Sequence, residues 1–331
     1  TIYSDIDNQA VRDLPAVFDL AFPAWCRWFG LTYTREEGHW HVNGYLMQDQ
    51  QRFQAAGLWS EDQPFFKAGY SFPHEFWFYE QPTEYYRRHL MLHEGVHTLM
   101  LTQFGTCGPP WYMEGMAELL ATHKLEEGKI TLPYFPRNRD EVARLDRIKF
   151  VQDDYANGRG MSLAAVLNLP SRAHLERNEA YGWSWALAAL LEGHPRYSER
   201  FHKLPEQLRQ GDNAFAQAFA QAYVEDWEAL NDDWQVFVHD LEHAYDFKRS
   251  AIDYAPGEQA VDGAKMIKVA ADRGWQNTGL RLEAGKRYQM SAEGRYQVDD
   301  MLGDVPRIWT SEPNGVSFRY YQGRPLGMLL A

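Results

Sequence analysis

The stretch His93-Glu94-Gly95-Val96-His97 places two imidazoles and a carboxylate where one metal ion can use all three. On an α-helix, residues four apart lie about 40° apart in azimuth and roughly 6 Å apart along the axis, so His93 and His97 share a face and Glu94 lies beside it. Two neutral imidazoles can hold Zn²⁺. The adjacent carboxylate is then placed to take a proton from water at the metal, which is the chemistry of the HExxH pattern. In a chain with this many His and acidic residues the five-residue pattern arises by chance on the order of a few per cent of the time, so its surroundings must confirm it. A catalytic zinc takes three protein ligands and keeps one position open. Three residues are candidates for the third ligand. His89 precedes His93 by four residues, but three positions at that spacing on one helix extend over about 12 Å, so His89 reads as a neighbour or a surface residue. His123 has no motif around it. Glu114 follows after a turn that can fold two helices together, and it is the best placed of the three.

The elements that must position these residues are legible around them. From Thr83 to Phe104, Tyr86, Leu90, Val96, Leu99, Met100 and Phe104 recur at helical spacing, with Thr83 as the cap, so the pair of histidines falls inside one long helix. Gly105-Thr106-Cys107-Gly108-Pro109-Pro110 breaks it, and Trp111 to Lys124 resumes the helical period. Upstream, a strand at Thr1–Ser4, a helix ending near Trp28, a strand over Trp40–Met47, a short helix over Gln48–Ala56 and an aromatic strand over Glu75–Glu80 predict a mixed sheet. Downstream, helical spacing predicts helices over Asp140–Tyr155, Met161–Leu167, Glu179–Leu191, Ser198–Leu208, Ala214–Ala222 and Trp227–Phe247. Beyond Ala255-Pro256-Gly257 short alternating segments (Gly279–Glu283, Arg287–Ala292, Val316–Tyr321) predict an all-β tail. The expected fold class is α+β. Residues 1–254 form one domain (1–82 mainly sheet with helices, 83–127 the site helices, 128–254 helical), and residues 255–331 form a small β-sandwich, jelly-roll-like and possibly truncated.

The HExxH stretch followed by Trp111-Tyr112-Met113-Glu114-Gly115-Met116-Ala117-Glu118 resembles the gluzincin metallopeptidases, in which an HExxH helix precedes a helix opening on a WxxEG-type sequence. The order of sheet, HExxH, WxxEGxAE and helices over the first 250 residues is similar to bacterial relatives of the peptidase MA clan. The resemblance implies a gluzincin-like catalytic domain with Glu114 as third zinc ligand. The sixteen residues between His97 and Glu114 are slightly fewer than in the aminopeptidase branch and imply a shorter connecting loop. Glu118, four residues on and on the same face, is placed to accept the second ring N–H of a ligand histidine, and the resemblance supports that role. It also implies a Tyr or His from the helical region as donor to the oxyanion. Tyr181, in Glu179-Ala180-Tyr181-Gly182-Trp183, fits that place, with His174 as the alternative and a purely packed Tyr181 equally compatible. The aromatic strand Glu75–Glu80 stands where gluzincins carry the edge strand that pairs with extended substrate; a buried central strand fits its continuous aromatics as well. In the tail, Gly274–Leu280, Leu282–Tyr288 and Pro313–Val316 are similar to pieces of galactose-binding-like β-sandwich modules, distantly the PA-I type lectins, which implies a glycan ligand. The neighbouring Asn pair that binds calcium in those lectins is not evident around Asn314.

Composition sets the outer bounds. The 331 residues are 45% hydrophobic and 24% charged, as in globular proteins, and long enough for two cores. A net charge of -13 and a pI near 5.4 argue against nucleic-acid and anionic-membrane partners. Cys26 and Cys107 alone form no disulfide framework and no thiolate zinc site. The longest apolar helical run, near Trp185–Leu191, is far short of a membrane span. The chain opens on Thr1 without a visible signal peptide, and the expectation is a trimmed, exported bacterial protein, periplasmic or extracellular. The functional expectation is a zinc-dependent peptidase acting on peptides or glycoproteins, with His93, His97 and Glu114 on the metal, Glu94 as general base and acid, and Tyr181 as oxyanion donor. The alternative is a carbohydrate-binding or adhesion protein with an inactive peptidase-like domain; the intact Glu94 favours the enzyme.

Overall fold

The computed structural model describes residues 1–32, 40–59, 63–260, 263–302, 305–321 and 323–331, with mixed helix and strand. The chain divides into two compact units, Thr1–Lys248 and Arg249–Ala331. The division falls six residues before the one expected from composition.

In the first unit, β1 (Ile2–Ser4), β2 (Asn43–Met47), β3 (Gly69–Phe72) and β4 (Glu75–Tyr79) form one sheet in the order β1-β2-β4-β3. β1 pairs with β2 and β2 with β4 in parallel, whereas β3 runs antiparallel to β4 as the first arm of a tight hairpin. The aromatic strand β4 is therefore central, and its Phe76, Trp77 and Phe78 are buried. Of the two readings open for Glu75–Glu80, edge strand and buried central strand, the second is the one formed. Beside β4, β3 ends the sheet among the described residues; sequence reading missed it because four residues, one of them Gly69, carry too little alternation to register.

Five helices accompany the sheet: α1 (Gln9–Arg12), α2 (Leu14–Trp28), α3 (Gln50–Ala55), α4 (Glu84–Phe104) and α5 (Pro110–Ala121); Phe18 of α2 stacks on Phe76 on one face, and Phe53 of α3 packs against Trp77 on the other. Thr83 caps α4 by accepting from the Tyr86 N–H, and Gly105, at a φ of 78°, closes its other end in the left-handed region. Two glycines set the approach of the helices. A Cβ on Gly95 would lie 2.5 Å from the Phe18 ring and 2.8 Å from Trp25, both on α2. The Trp25 indole N–H in turn donates to the Leu120 carbonyl of α5 at 3.0 Å, so α2 packs against both site helices.

The helical remainder comprises α6 (Arg147–Ala156), α7 (Leu163–Leu167), α8 (Ser171–Glu176), α9 (Glu179–Gly193), α10 (Ser198–Phe201), α11 (Asp212–Tyr223) and α12 (Trp227–Asp240). The single helix expected over Asp140–Tyr155 is two pieces: a 3-10 turn over Arg139–Val142, then α6. Arg144 stands at a φ of 63° between them, and Asp146 restarts the helix by capping Lys149 N–H. The helix expected to run to Phe247 ends at Asp240, with Ala244 at a φ of 61° beyond it. A hairpin of β5 (Lys124–Glu126) and β6 (Lys129–Thr131) turns at Glu127-Gly128, both with positive φ, where a helical region was expected.

The second unit contains β7 (Glu258–Gln259) with β8 (Leu280–Arg281), β9 (Tyr296–Leu302) with β10 (Val305–Ser311), and β11 (Asn314–Tyr321) with β12 (Arg324–Met328). The described strands pair as three two-stranded ladders and not as the two facing sheets of the expected sandwich. Among the described residues of this unit only Ala251 and Ser311 are buried, and large apolar side chains such as Met266, Met290, Ile308 and Phe318 stand exposed. The strand expected over Arg287–Ala292 is absent among the described residues. No helix among them is long and apolar enough to cross a membrane.

The closest approach of a glycine to backbone among the described residues of the first unit is between α5 and α9, where a Cβ on Gly115 would come 2.7 Å from the Ser184 carbonyl oxygen. A backbone atom cannot step aside as a side-chain tip can. Gly115→Ala is expected to cost about 1–3 kcal/mol, measured as a lowered denaturant midpoint at unchanged m-value. A midpoint equal to that of the wild type would mean that the two helices part freely.

Candidate metal centre

The long helix α4 places His93 and His97 one turn apart, and the Gly105–Pro109 break returns the chain so that α5 lays Glu114 against them. The Nε2 atoms of His93 and His97 are 3.1 Å apart. Glu114 Oε2 is 3.2 Å from His93 Nε2 and 3.4 Å from His97 Nε2. These three atoms form a nearly equilateral triangle. A tetrahedral ion with bonds of about 2.0–2.1 Å separates its ligand atoms by about 3.3 Å, the tetrahedral edge being 1.63 times the bond. The triangle therefore has the dimensions of one face of such a site. All three side chains are buried, and Glu114 Oε2 makes no hydrogen bond although it is shielded from water. A buried carboxylate oxygen aimed at two imidazole nitrogens fits a cation. His93, His97 and Glu114 can thus hold a metal ion.

Behind the triangle stands Glu118, one turn along α5 from Glu114 and 1% exposed. Its Oε1 lies 3.2 Å from His93 Nδ1, an ion-pair distance without the alignment of a good hydrogen bond. Its Oε2 is 3.0 Å from His89 Nε2. Arg147, the first residue of α6, donates from Nε to Oε2 at 2.7 Å and from Nη2 to Oε1 at 2.6 Å. Glu118 faces the outer nitrogen of His93, and Nε2 of that ring is the atom turned to Glu114 and His97. His89, His93 and Glu118 also lie close enough together to suggest a second ion. The bidentate Arg147 already supplies the positive charge there, so a cation at that place would face a buried guanidinium.

The electrostatics follow from this layout. Burial alone would depress His93, but Glu114 and Glu118 outweigh it and hold the imidazole up at about 9 in the metal-free chain. His97 is opposed by burial in the same way and is raised by Glu114. Glu114 is penalised by burial yet held well below the usual carboxylate range by the two imidazoles. Burial likewise penalises Glu118, and Arg147 followed by His89 holds it down. Burial is the main influence on Glu94 and pushes its carboxyl up against the pull of the two histidines.

The other residues singled out from sequence divide clearly. Tyr181, in the first turn of α9, is brought to the site: its ring centroid is 6.0 Å from that of His93, and the Arg147 guanidinium lies 5.4 Å from it. Burial, then Glu114, raises its hydroxyl above the usual phenol range, so it remains a proton donor. His174 is buried beside Tyr181, with ring centroids 5.0 Å apart and Nε2 2.9 Å from Ser184 Oγ. Burial depresses it, so the ring is neutral near pH 7. His123 is not brought to the triangle: Nδ1 donates to the Ala121 carbonyl at 2.8 Å, Nε2 accepts from Arg88, and the ring stacks on Tyr85. Of the two readings of His89, neighbour or surface residue, the structure has the first: it is a buried partner of Glu118. Arg147 was missed; nothing in its own neighbourhood pairs it with a glutamate 29 residues earlier.

The chain matches no model of a known protein family, and no curated protein sequence matches it.

Two measurements test this centre. Since the folded-state value of His93, about 9, lies above its ordinary 6.5, its proton stabilises the metal-free fold fully below pH 6.5, and that contribution is lost as pH rises through 9. A bound metal must expel this proton, so metal affinity is expected to rise by at least about tenfold per pH unit from pH 7 towards 9. Competition against a chromophoric chelator reads this directly, and a flat profile would contradict the assignment. In the second, Glu118→Gln should weaken metal binding by about 10- to 100-fold; unchanged binding would separate Glu118 from the site.

Proposed function

We propose that this protein is a zinc-dependent peptidase of gluzincin type that hydrolyses peptide bonds in peptides or glycoproteins. The observation that carries the reading is the buried triangle of His93 Nε2, His97 Nε2 and Glu114 Oε2, with Glu94 next to a ligand on the same helix. Two imidazoles and one carboxylate are a donor set of catalytic zinc, whereas structural zinc sites are closed by four protein ligands and rich in cysteine. When bound, the ion would supply Lewis-acid polarisation of the attacking water and of the scissile carbonyl.

The chain's own groups account for the remaining steps. Glu94 takes a proton from the attacking water and passes it to the leaving amine, and its raised proton affinity suits both halves of that transfer. Tyr181 keeps its hydroxyl proton and donates it in a hydrogen bond to the oxygen on which negative charge develops; neutral His174 at its edge supports the ring. Glu118 and Arg147 hold His93 in one orientation, which limits reorganisation during turnover. Strand β3 ends the sheet among the described residues, and its free edge suits an extended substrate added as a further strand.

Metal analysis of the purified protein together with cleavage of a peptide library tests the reading. The wild type should carry one zinc per chain and cut peptides, and Glu94→Gln should keep the zinc while losing roughly 10³-fold or more in kcat. A zinc-loaded chain that cuts nothing, or a Glu94→Gln variant as active as the wild type, would contradict it.

A further inference from the structure

The edge strand does more around Glu94 than close the sheet. The Ser71 hydroxyl oxygen lies 2.5 Å from Glu94 Oε2 and 2.9 Å from the backbone carbonyl oxygen of the same residue. Two positions earlier, a Cβ on Gly69 would fall 2.2 Å from Glu94 Oε1 and 2.7 Å from its Cδ. Residues two apart in a strand share a face, so Gly69 and Ser71 both front α4. Tyr70 stacks on Phe66 at 6.1 Å, among the aromatics of the opposite face. Strand β3 thus presents Glu94 with a gap that its carboxyl fills and, beside it, a hydroxyl that grips it. Glutamate has three side-chain rotors, and a carboxyl free to turn about them would spend much of its time away from the proton it must take.

We propose that Ser71 is a positioning residue for Glu94, with Gly69 as the gap that lets the carboxyl lie against the edge strand. The proposal rests on the peptidase reading for its kinetic consequences. A hydroxyl has one proton and two lone pairs, so Ser71 can serve either of its two neighbouring oxygens as donor, but not both at once. While Glu94 is ionised, Ser71 donates to Oε2. Once Glu94 has taken the water's proton, its O–H donates to Ser71 Oγ, and the serine proton turns to the Glu94 carbonyl. Serine neither gains nor loses a proton, and one pair of heavy atoms holds the carboxyl in place through both forms. None of the three ligand atoms is touched, so the contact acts on the base and not on the metal.

The test uses the zinc-loaded full chain with Ser71→Ala, Ser71→Thr and Gly69→Ala, read by zinc content, by kcat and KM, and by crystal structures. Ser71→Ala should keep its zinc and its KM and lose roughly 10- to 100-fold in kcat, with the Glu94 carboxyl leaving the strand in the crystal. Ser71→Thr, which restores the hydroxyl, should recover most of the rate. Gly69→Ala should displace the same carboxyl and lower kcat with zinc retained. Unchanged kcat in Ser71→Ala, loss of zinc, or a Glu94 carboxyl that stays put without the hydroxyl would overturn the proposal. If the wild type cuts no peptide, the peptidase reading fails by itself, and the crystal comparison still decides whether Ser71 holds Glu94.

Discussion

Two carboxylates one turn apart on α5, both buried, are the constraint on which the first unit depends. Glu114 and Glu118 are taken out of water on the same helical face, where each ion would cost several kcal/mol unless opposite charge meets it. Glu118 is met within the chain by the fork of Arg147 and by His89. Among the described residues Glu114 is met by two imidazoles, which must be protonated to compensate it or must share a metal ion with it. The raised proton affinity of His93 and His97 in the metal-free chain expresses that demand. The cluster is thus built as one completed ion pair supporting one that calls for a cation.

Holding the carboxylates in register takes close backbone approach, and glycine supplies it wherever a side chain would block the way. Gly95, within the HExxH stretch, admits Phe18 and Trp25 of α2; Gly115, next to Glu114, admits the α9 backbone; Gly69 admits the Glu94 carboxyl. Each adjoins a residue of the site or touches one. The glycines in these motifs therefore have a packing cause separate from the chemistry of their neighbours. Fixing α4, α5, α9 and β3 against one another sets the distances between His93, His97, Glu114, Glu94 and Tyr181.

Much of this was legible in the sequence. The long helix carrying His93 and His97, its Thr83 cap and the break before α5 followed from helical period and turn residues. The meeting of Glu114 with the two histidines followed from resemblance to a known pattern. What escaped was whatever depends on contacts between distant segments. Arg147 finds Glu118 across the β5–β6 hairpin and a 3-10 turn, and the four residues of β3 acquire their meaning only from the strand and helix they lie against. The place of β4 in the sheet belongs to the same class, since an aromatic run looks alike at an edge and at the centre. In the second unit, alternating residues suggested facing sheets, but separate two-stranded ladders formed and left large apolar side chains such as Met266, Ile308 and Phe318 exposed.

The most direct test of the central claim is anomalous diffraction from a zinc-soaked crystal, collected on both sides of the zinc absorption edge. One ion is predicted, bonded at about 2.0–2.2 Å to His93 Nε2, His97 Nε2 and a Glu114 oxygen, with Arg147 still paired to Glu118. An anomalous peak between His89 and Glu118 with Arg147 displaced, or no peak at the triangle at saturating zinc, would contradict the account.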